Sequence, residues 1–353
     1  MWLLIASCAG LVSWWLTGRL ASAASRFVSF DHPNERSLHS APVPRSGGIA
    51  ILAGIIAGLA VATVTSSIEV GLGEGSPVRR IPVWLFMLSS TALVTAVSYL
   101  DDRRGLPVWL RFMVQTVAAI AAVGGAGLSL STVTVPGLGT VSLGWLGGPA
   151  SVLFVLWMTN LYNFMDGMDG FAGGMTVLGF AFLAYFAWRA GNGTLFVAAA
   201  VISASALGFL VHNFPPARIF MGDVGSVPIG FTAGLMTLLG VREQLFDLWV
   251  PVLIFSPFII DATVTVLRRA WRAQRIWHAH REHYYQRIVL SGWSHRETVL
   301  AEYAVMLCCG GLAMLYHAMD TWRMAILGTW MLLFIGLAGA VHAMEQQGKN
   351  DRR

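Results

Sequence analysis

Residues 149–174 read PASVLFVLWMTNLYNFMDGMDGFAGG. The first half is an apolar run of the kind that crosses a bilayer, for which about 20 residues of helix suffice. From Asn160 onward the run turns polar at a fixed interval. Asn160, Asn163, Asp166 and Asp169 recur every third residue and, on a continuing helix, share roughly one face. Such a ladder is costly against lipid and therefore points inward, while Gly167, Gly170, Gly173 and Gly174 favour a turn at its end. An ordinary polar helix end with a glycine stop is the competing reading of this segment by itself.

The rest of the chain supplies the context that separates the two. The 353 residues are 56% hydrophobic and 12% charged, too little polar surface to coat a soluble globule of this size. The formal charge of +5 resides in short gaps between apolar runs, with no basic domain or stripe, which disfavours nucleic acid and points to phospholipid and anionic substrates. Cys8, Cys308 and Cys309 lie in apolar stretches without the spacing of a zinc site. Residues 1–22 resemble a secretion signal, but no Lys or Arg precedes the apolar run, so they read as a first span.

Apolar runs near 2–22, 47–66, 83–100, 108–128, 149–165, 172–190, 194–212, 226–241, 248–267, 297–316 and 323–342 predict an all-α polytopic membrane protein. It has about eleven transmembrane helices in a single integral-membrane domain, 1–353. Residues 132–143, TVTVPGLGTVSL, predict a small extracytoplasmic hairpin turning at Pro136-Gly137. Counted loop by loop, seventeen Lys and Arg fall on one side and five on the other, with Arg19 at a span end. The richer side is then cytoplasmic and the N-terminus outside, as expected for a bacterial inner-membrane protein.

On that topology five polar clusters share the cytoplasmic face. Between the first two spans, DHPNERSLHSAPVPRSGG (Asp31 to Gly48) has too many prolines and glycines for a helix and offers Arg36, His39 and Arg45 to an anion. YLDDRRGLP (Tyr99 to Pro107) places Asp101 and Asp102 side by side, which implies a cation, a shared proton or full solvation. Asn160 to Gly174 is the third cluster. In HNFPPARIFMGDVGS (His212 to Ser226), glycines flank Asp223 and let backbone N–H groups approach a phosphate. The fifth, RRAWRAQRIWHAHREHYYQRIVLSGWSHR (Arg268 to Arg296), brings His280, Arg281, His283 and Arg287 together. Its geometry suits phosphate better than zinc, with a solvated juxtamembrane charge run as the alternative. Carboxylates converging from three helix hairpins need a counter-charge, which a hard divalent cation supplies.

With those motifs in order, the chain resembles the polyprenyl-phosphate N-acetylhexosamine-1-phosphate transferases of glycosyltransferase family 4. That group includes the O-antigen and enterobacterial-antigen initiators and, more distantly, phospho-N-acetylmuramoyl-pentapeptide transferase. The resemblance spans nearly the whole chain. It implies magnesium, or manganese in its place, with Asp223 and Asn163 as metal ligands, and an undecaprenyl phosphate acceptor. It further implies that Asp101 and Asp102 act near the lipid phosphate and that Asp166 and Asp169 help bind a uridine nucleotide. Asn160, His39, Arg45 and the histidine loop complete the expected substrate site. Pro42-Val43-Pro44-Arg45-Ser46 departs from the muramoyl-pentapeptide branch. His280-Arg281-Glu282-His283-Tyr284-Tyr285-Gln286-Arg287 is similar to the loop of O-antigen initiators that use a 6-deoxy-N-acetylhexosamine.

The expected reaction moves sugar 1-phosphate from a UDP-N-acetylhexosamine to undecaprenyl phosphate and releases UMP, initiating O-antigen or related envelope glycan synthesis. UDP-N-acetylfucosamine or UDP-N-acetylquinovosamine is the expected donor and UDP-GlcNAc the alternative. Membrane lipids are the other partners, nucleic acid is not one, and a homodimer is left open. A cation-coupled transporter is the rival of a different class, but it would want acids near the midplane. Here Asp261 is the main exception to the pattern of acids at span ends, and near the end of the ninth span it reads as part of the cleft. A CDP-alcohol phosphotransferase is the enzyme rival, and the paired-aspartate helix that family carries is missing.

Overall fold

A computed structural model of the chain describes residues 1–22, 30–31, 42–65, 77–274 and 280–350. His39, Arg36 and His278 lie outside the described residues. The elements are α1 (Trp2–Ala21), β1 (Phe30–Asp31), β2 (Val43–Pro44), α2 (Gly47–Val64), α3 (Pro77–Arg104), α4 (Val108–Gly125), β3 (Thr132–Val135), β4 (Gly139–Ser142) and α5 (Gly147–Met165). They continue with α6 (Phe171–Arg189), α7 (Gly193–Asn213), α8 (Asp223–Arg242), α9 (Trp249–Ile254), α10 (Ser256–Trp271), α11 (Tyr284–Leu290), α12 (His295–Ala318) and α13 (Arg323–Asn350).

The fold is all-α and polytopic. Among the described residues nine helices are long and apolar enough to cross a membrane. The predicted spans missing from that set are α5, whose hydropathy is lowered by its own asparagines, and the ninth, which breaks at Phe255 into α9 and α10. The predicted hairpin forms: β3 and β4 pair antiparallel from Thr132 with Ser142 to Val135 with Gly139, and Gly137 supplies the positive φ of the turn, +83°.

Lipid gives helices no hydrophobic reason to associate, so close packing through small residues does much of that work. Gly54 and Gly58, spaced as G-x-x-x-G on α2, face Ala9 of α1, and a Cβ at Gly54 would sit 2.6 Å from the Ala9 carbonyl oxygen. Where α2 and α8 begin, Gly48 and Gly225 meet so closely that a Cβ at Gly48 would lie 2.3 Å from the Gly225 nitrogen. The first amides of α2 are satisfied at the same crossing, Gly47 N–H donating to Phe220 O at 2.9 Å and Gly48 N–H to Met221 O at 2.8 Å. That crossing fixes the residues just before α8 against those just before α2. Helix α8, at the centre, is buried almost throughout.

Two helix ends differ from the sequence expectation for local reasons. The eighth span starts at Asp223 rather than near 226, because Gly222 turns the chain at φ +74° and a carboxylate from α3 caps the new helix. Helix α12 starts at His295, where Ser294 and Glu297 form a capping box: Glu297 N–H donates to Ser294 Oγ at 3.2 Å and Ser294 N–H to Glu297 Oε2 at 2.9 Å.

Gly48→Ala and Gly225→Ala should each overpack the α2–α8 crossing and cost roughly 1–3 kcal/mol. A lowered thermal midpoint in detergent is the expected readout. Gly311→Ala, where a Cβ meets nothing within 4 Å, is the matched control and should melt like the parent.

Candidate active site

Asp101 and Asp102 end α3, Asp166 follows α5, and Asp223 begins α8, so helix packing alone brings four carboxyl groups to one place. Asp102 faces the N-terminus of α8. Its Oδ1 accepts from Asp223 N–H at 3.2 Å and its Oδ2 from Val224 N–H at 2.8 Å, placing a negative group at the positive end of that helix. Arg45 closes over the same aspartate, with Nη2 2.9 Å from its carbonyl oxygen and 3.3 Å from Oδ1. Gly222 permits this approach, because a Cβ there would lie 2.3 Å from the Arg45 carbonyl oxygen.

Asp101 and Asp223 are joined by Arg111 of α4, whose Nη1 is 2.5 Å from Asp101 Oδ2 and 3.2 Å from Asp223 Oδ2. Asp223 Oδ1 accepts from Asn163 Nδ2 at 2.9 Å, and the same amide reaches Ser226 Oγ at 3.3 Å. One turn earlier on α5, Asn160 Nδ2 donates to Gln115 Oε1 at 3.2 Å. Asp166 receives the Gly222 N–H. Burial, and then the neighbouring carboxylates of Asp223 and Asp102, push its carboxyl well above the usual carboxylate range.

Most of these groups open onto a cavity of about 410 Å³, whereas Asp102, turned to the α8 N-terminus, is not among its lining residues. Asp101, Arg111, Gln115, Asn160, Asn163, Asp166 and Asp223 line one part, with Arg45 and Asp31 beside them. Val94, Val97, Val108, Phe112 and Val114 of α3 and α4 form an apolar flank. His280, His283, Tyr285 and Gln286 enter from the loop after α10. Burial, with His283 and then Arg269 nearby, lowers the His280 pKa to about 4, so its imidazole is neutral at physiological pH.

Not every expected residue faces this cavity. Asp169 ties the α6 entry to other elements: Oδ2 accepts from Ala217 N–H at 3.0 Å and Oδ1 lies 3.2 Å from His295 Nδ1. Arg287 is turned to α13, its Nε and Nη2 each 2.7 Å from the two carboxylate oxygens of Glu345, and it stacks 4.8 Å over the Tyr284 ring. Arg281 is partly buried and does not line the cavity. Conversely, Arg111 and Gln115 line the cavity without being among the site residues expected from the sequence. The signal for Gln115 was a lone amide in an apolar span, and that for Arg111 a cation ten residues beyond Asp101.

Among the described residues no three His, Cys, Asp or Glu side chains converge as a ready-made metal cage. The donor set is nevertheless hard oxygen, and magnesium is commonly held by one or two carboxylates with substrate phosphates and water completing its shell. Asp223, with the carbonyl oxygen of Asn163, fits that partial pattern.

Asp169→Ala should remove a backbone acceptor and an ion-pair partner and destabilise the fold by about 1–3 kcal/mol. A drop in thermal midpoint is expected, with the cavity residues untouched.

A family model described as glycosyl transferase family 4 matches residues 84–241. A probable undecaprenyl-phosphate N-acetylglucosaminyl 1-phosphate transferase of Bacillus subtilis (strain 168) is 30% identical over 321 residues, covering 90% of this chain and 86% of that protein. A decaprenyl-phosphate N-acetylglucosaminephosphotransferase of Mycobacterium leprae is 31% identical, covering 85% and 80%. A phospho-N-acetylmuramoyl-pentapeptide-transferase of a Synechococcus strain is 30% identical, covering 77% and 78%. With about 30% identity over most of both chains, this chain belongs to glycosyl transferase family 4, the polyprenyl-phosphate sugar-1-phosphate transferases, and is a multi-pass bacterial membrane enzyme.

Proposed function

We propose that this protein transfers an N-acetylhexosamine 1-phosphate from a UDP-sugar to undecaprenyl phosphate at the cytoplasmic face, acting as one integral-membrane domain. The observation that carries the reading is that acidic groups, arginines and an apolar flank meet in one cavity. A polyprenyl phosphate needs both environments at once: its head group is anionic and its chain belongs in lipid. Exposed Val108, Trp109 and Phe112 on α4 continue the apolar flank outward.

In the transfer, an oxygen of the lipid phosphate forms a bond to the sugar-bearing phosphorus while the P–O bond to UMP breaks. The anomeric carbon is untouched, so its configuration is kept. A phosphate monoester has a second pKa of about 6, so the nucleophile is largely deprotonated at neutral pH and needs positioning more than a strong base. Asp101, or Asp102 beside it, orients the lipid phosphate, while Arg111 and Arg45 offset the repulsion between the two anions. Magnesium, or manganese in its place, held by Asp223 and Asn163, neutralises charge on the phosphates when bound. Asp166 and Asn160, with His280 and His283 opposite, contact the nucleotide sugar. Direct in-line attack is favoured because the acids are already engaged by arginine, amide and backbone donors. A covalent aspartyl-phosphate is the competing route.

The donor is UDP-N-acetylfucosamine or UDP-N-acetylquinovosamine, with leakage to UDP-GlcNAc, since Tyr285 and Phe164 give the cavity an aromatic wall that suits a methyl at C6. Such a wall rejects an added hydroxyl only by on the order of 100-fold. The relatives named for N-acetylglucosamine fit the alternative donor equally well.

Purified protein with undecaprenyl phosphate and equal concentrations of the three UDP-sugars should release UMP, fastest with a 6-deoxy donor. A higher specificity constant for UDP-GlcNAc assigns the alternative donor, and no UMP with any of them removes the reading. Asp223→Asn should cost at least about 100-fold in turnover with an unchanged melting profile. Near-normal turnover at limiting magnesium would exclude Asp223 as a metal ligand.

A further inference from the structure

Asp261 lies inside a span rather than at its end, and the reaction as described makes no use of it. It is buried on α10, 6% exposed, where hydrogen-bond donors surround its carboxylate and Glu302 of α12 is near enough to interact with it electrostatically. Oδ1 receives Tyr284 N–H at 2.9 Å and Thr265 Oγ1 at 3.2 Å, and Oδ2 receives Tyr285 N–H at 3.2 Å. His283 Nδ1 lies 3.1 Å from the same Oδ1. A carboxylate is acceptor-only, so the proton between them belongs to Nδ1, this charge-assisted bond prevailing over the Gln286 backbone N–H that the α11 capping box also sets against the side chain. The imidazole is 4% exposed and stacks between Phe164 and Tyr285, at 6.3 and 5.9 Å between ring centroids, so it has little freedom to turn. With Nδ1 committed, Nε2 is the nitrogen His283 has left for the cavity it lines.

We propose that Asp261 is a positioning residue for the transfer: it caps α11 and holds His283 in the Nδ1–H form, presenting Nε2 to the leaving nucleotide phosphate. This rests on the reading of the cavity as a phosphotransferase site. When the ring carries a second proton, the same carboxylate balances its charge, and Nε2–H then donates to the oxygen that gains charge as UMP departs. No proton need leave the ring, because UMP is a stable anion at neutral pH. The arrangement follows the logic by which a buried aspartate orients a histidine in hydrolase triads.

Two measurements test it. In wild-type protein carrying ¹⁵N-histidine in nanodiscs, with the His283 signals assigned by their loss in His283→Gln, the neutral ring should show the Nδ1–H pattern. An Nε2–H pattern overturns the proposal. Because this spectrum needs no substrate and no variant of Asp261, it decides the pairing even if every UDP-sugar fails as donor or Asp261→Asn does not fold. The second is a double-mutant cycle on turnover. Asp261→Asn should lower kcat by on the order of 100-fold with KM for the UDP-sugar changed only severalfold, and should have little further effect in the His283→Gln background. Equal losses in both backgrounds would make Asp261 a purely structural cap and overturn the role assigned to it.

Discussion

Charge removed from water has to be met by charge or by oriented dipoles, and this protein gathers four carboxyl groups where its helices end. Two unit charges 4 Å apart interact by about 4 kcal/mol at an effective dielectric of 20, so the cluster could not hold together unaided. Three partners surround it. The N-terminus of α8 meets Asp102, Arg111 bridges Asp101 and Asp223, and Arg45 closes over Asp102. Each partner comes from a different part of the chain, so the acidic centre and the packing of α2, α3, α4 and α8 depend on one another.

The glycines belong to the same constraint. Helix α8 can bring its first amides to Asp102 only because Gly222 turns sharply beside the Arg45 backbone and Gly225 lets α2 pass at van der Waals distance. A side chain at either position would separate the capping carboxylate from the helix it caps. Glycine here serves close approach, and the electrostatics of the site follow from it.

The loop after α10 is built on an analogous principle at smaller scale. Its basic character suggests a surface waiting for phosphate, yet much of its charge is met within the fold. Arg269 pairs with Glu282, Arg268 donates to the Glu282 carbonyl at 2.7 Å, and Arg287 is clamped by Glu345 from the last helix. Among its described residues, those that reach the cavity are His280, His283, Tyr285 and Gln286. These arginines thus serve to fix the described part of the loop against the helices around it.

Much of this was legible from residue order. Apolar runs of membrane length, the three-residue ladder from Asn160 and paired acids at span ends determine an all-α bundle with an acidic site at one face, because hydropathy and helical period are local properties. The hairpin at residues 132–142 was equally local. Tertiary structure alone decided which polar residues of a motif share a cavity. Asp166 and Asp169 are three apart, yet one faces the cavity and the other binds Ala217 and His295, since the helix ends at Met165 and the period no longer applies beyond it. Likewise Arg111, Gln115 and Asp261 acquire their partners across 10 to 112 residues of chain. Side-chain pairing at such separations depends on how helices cross, which no single segment encodes.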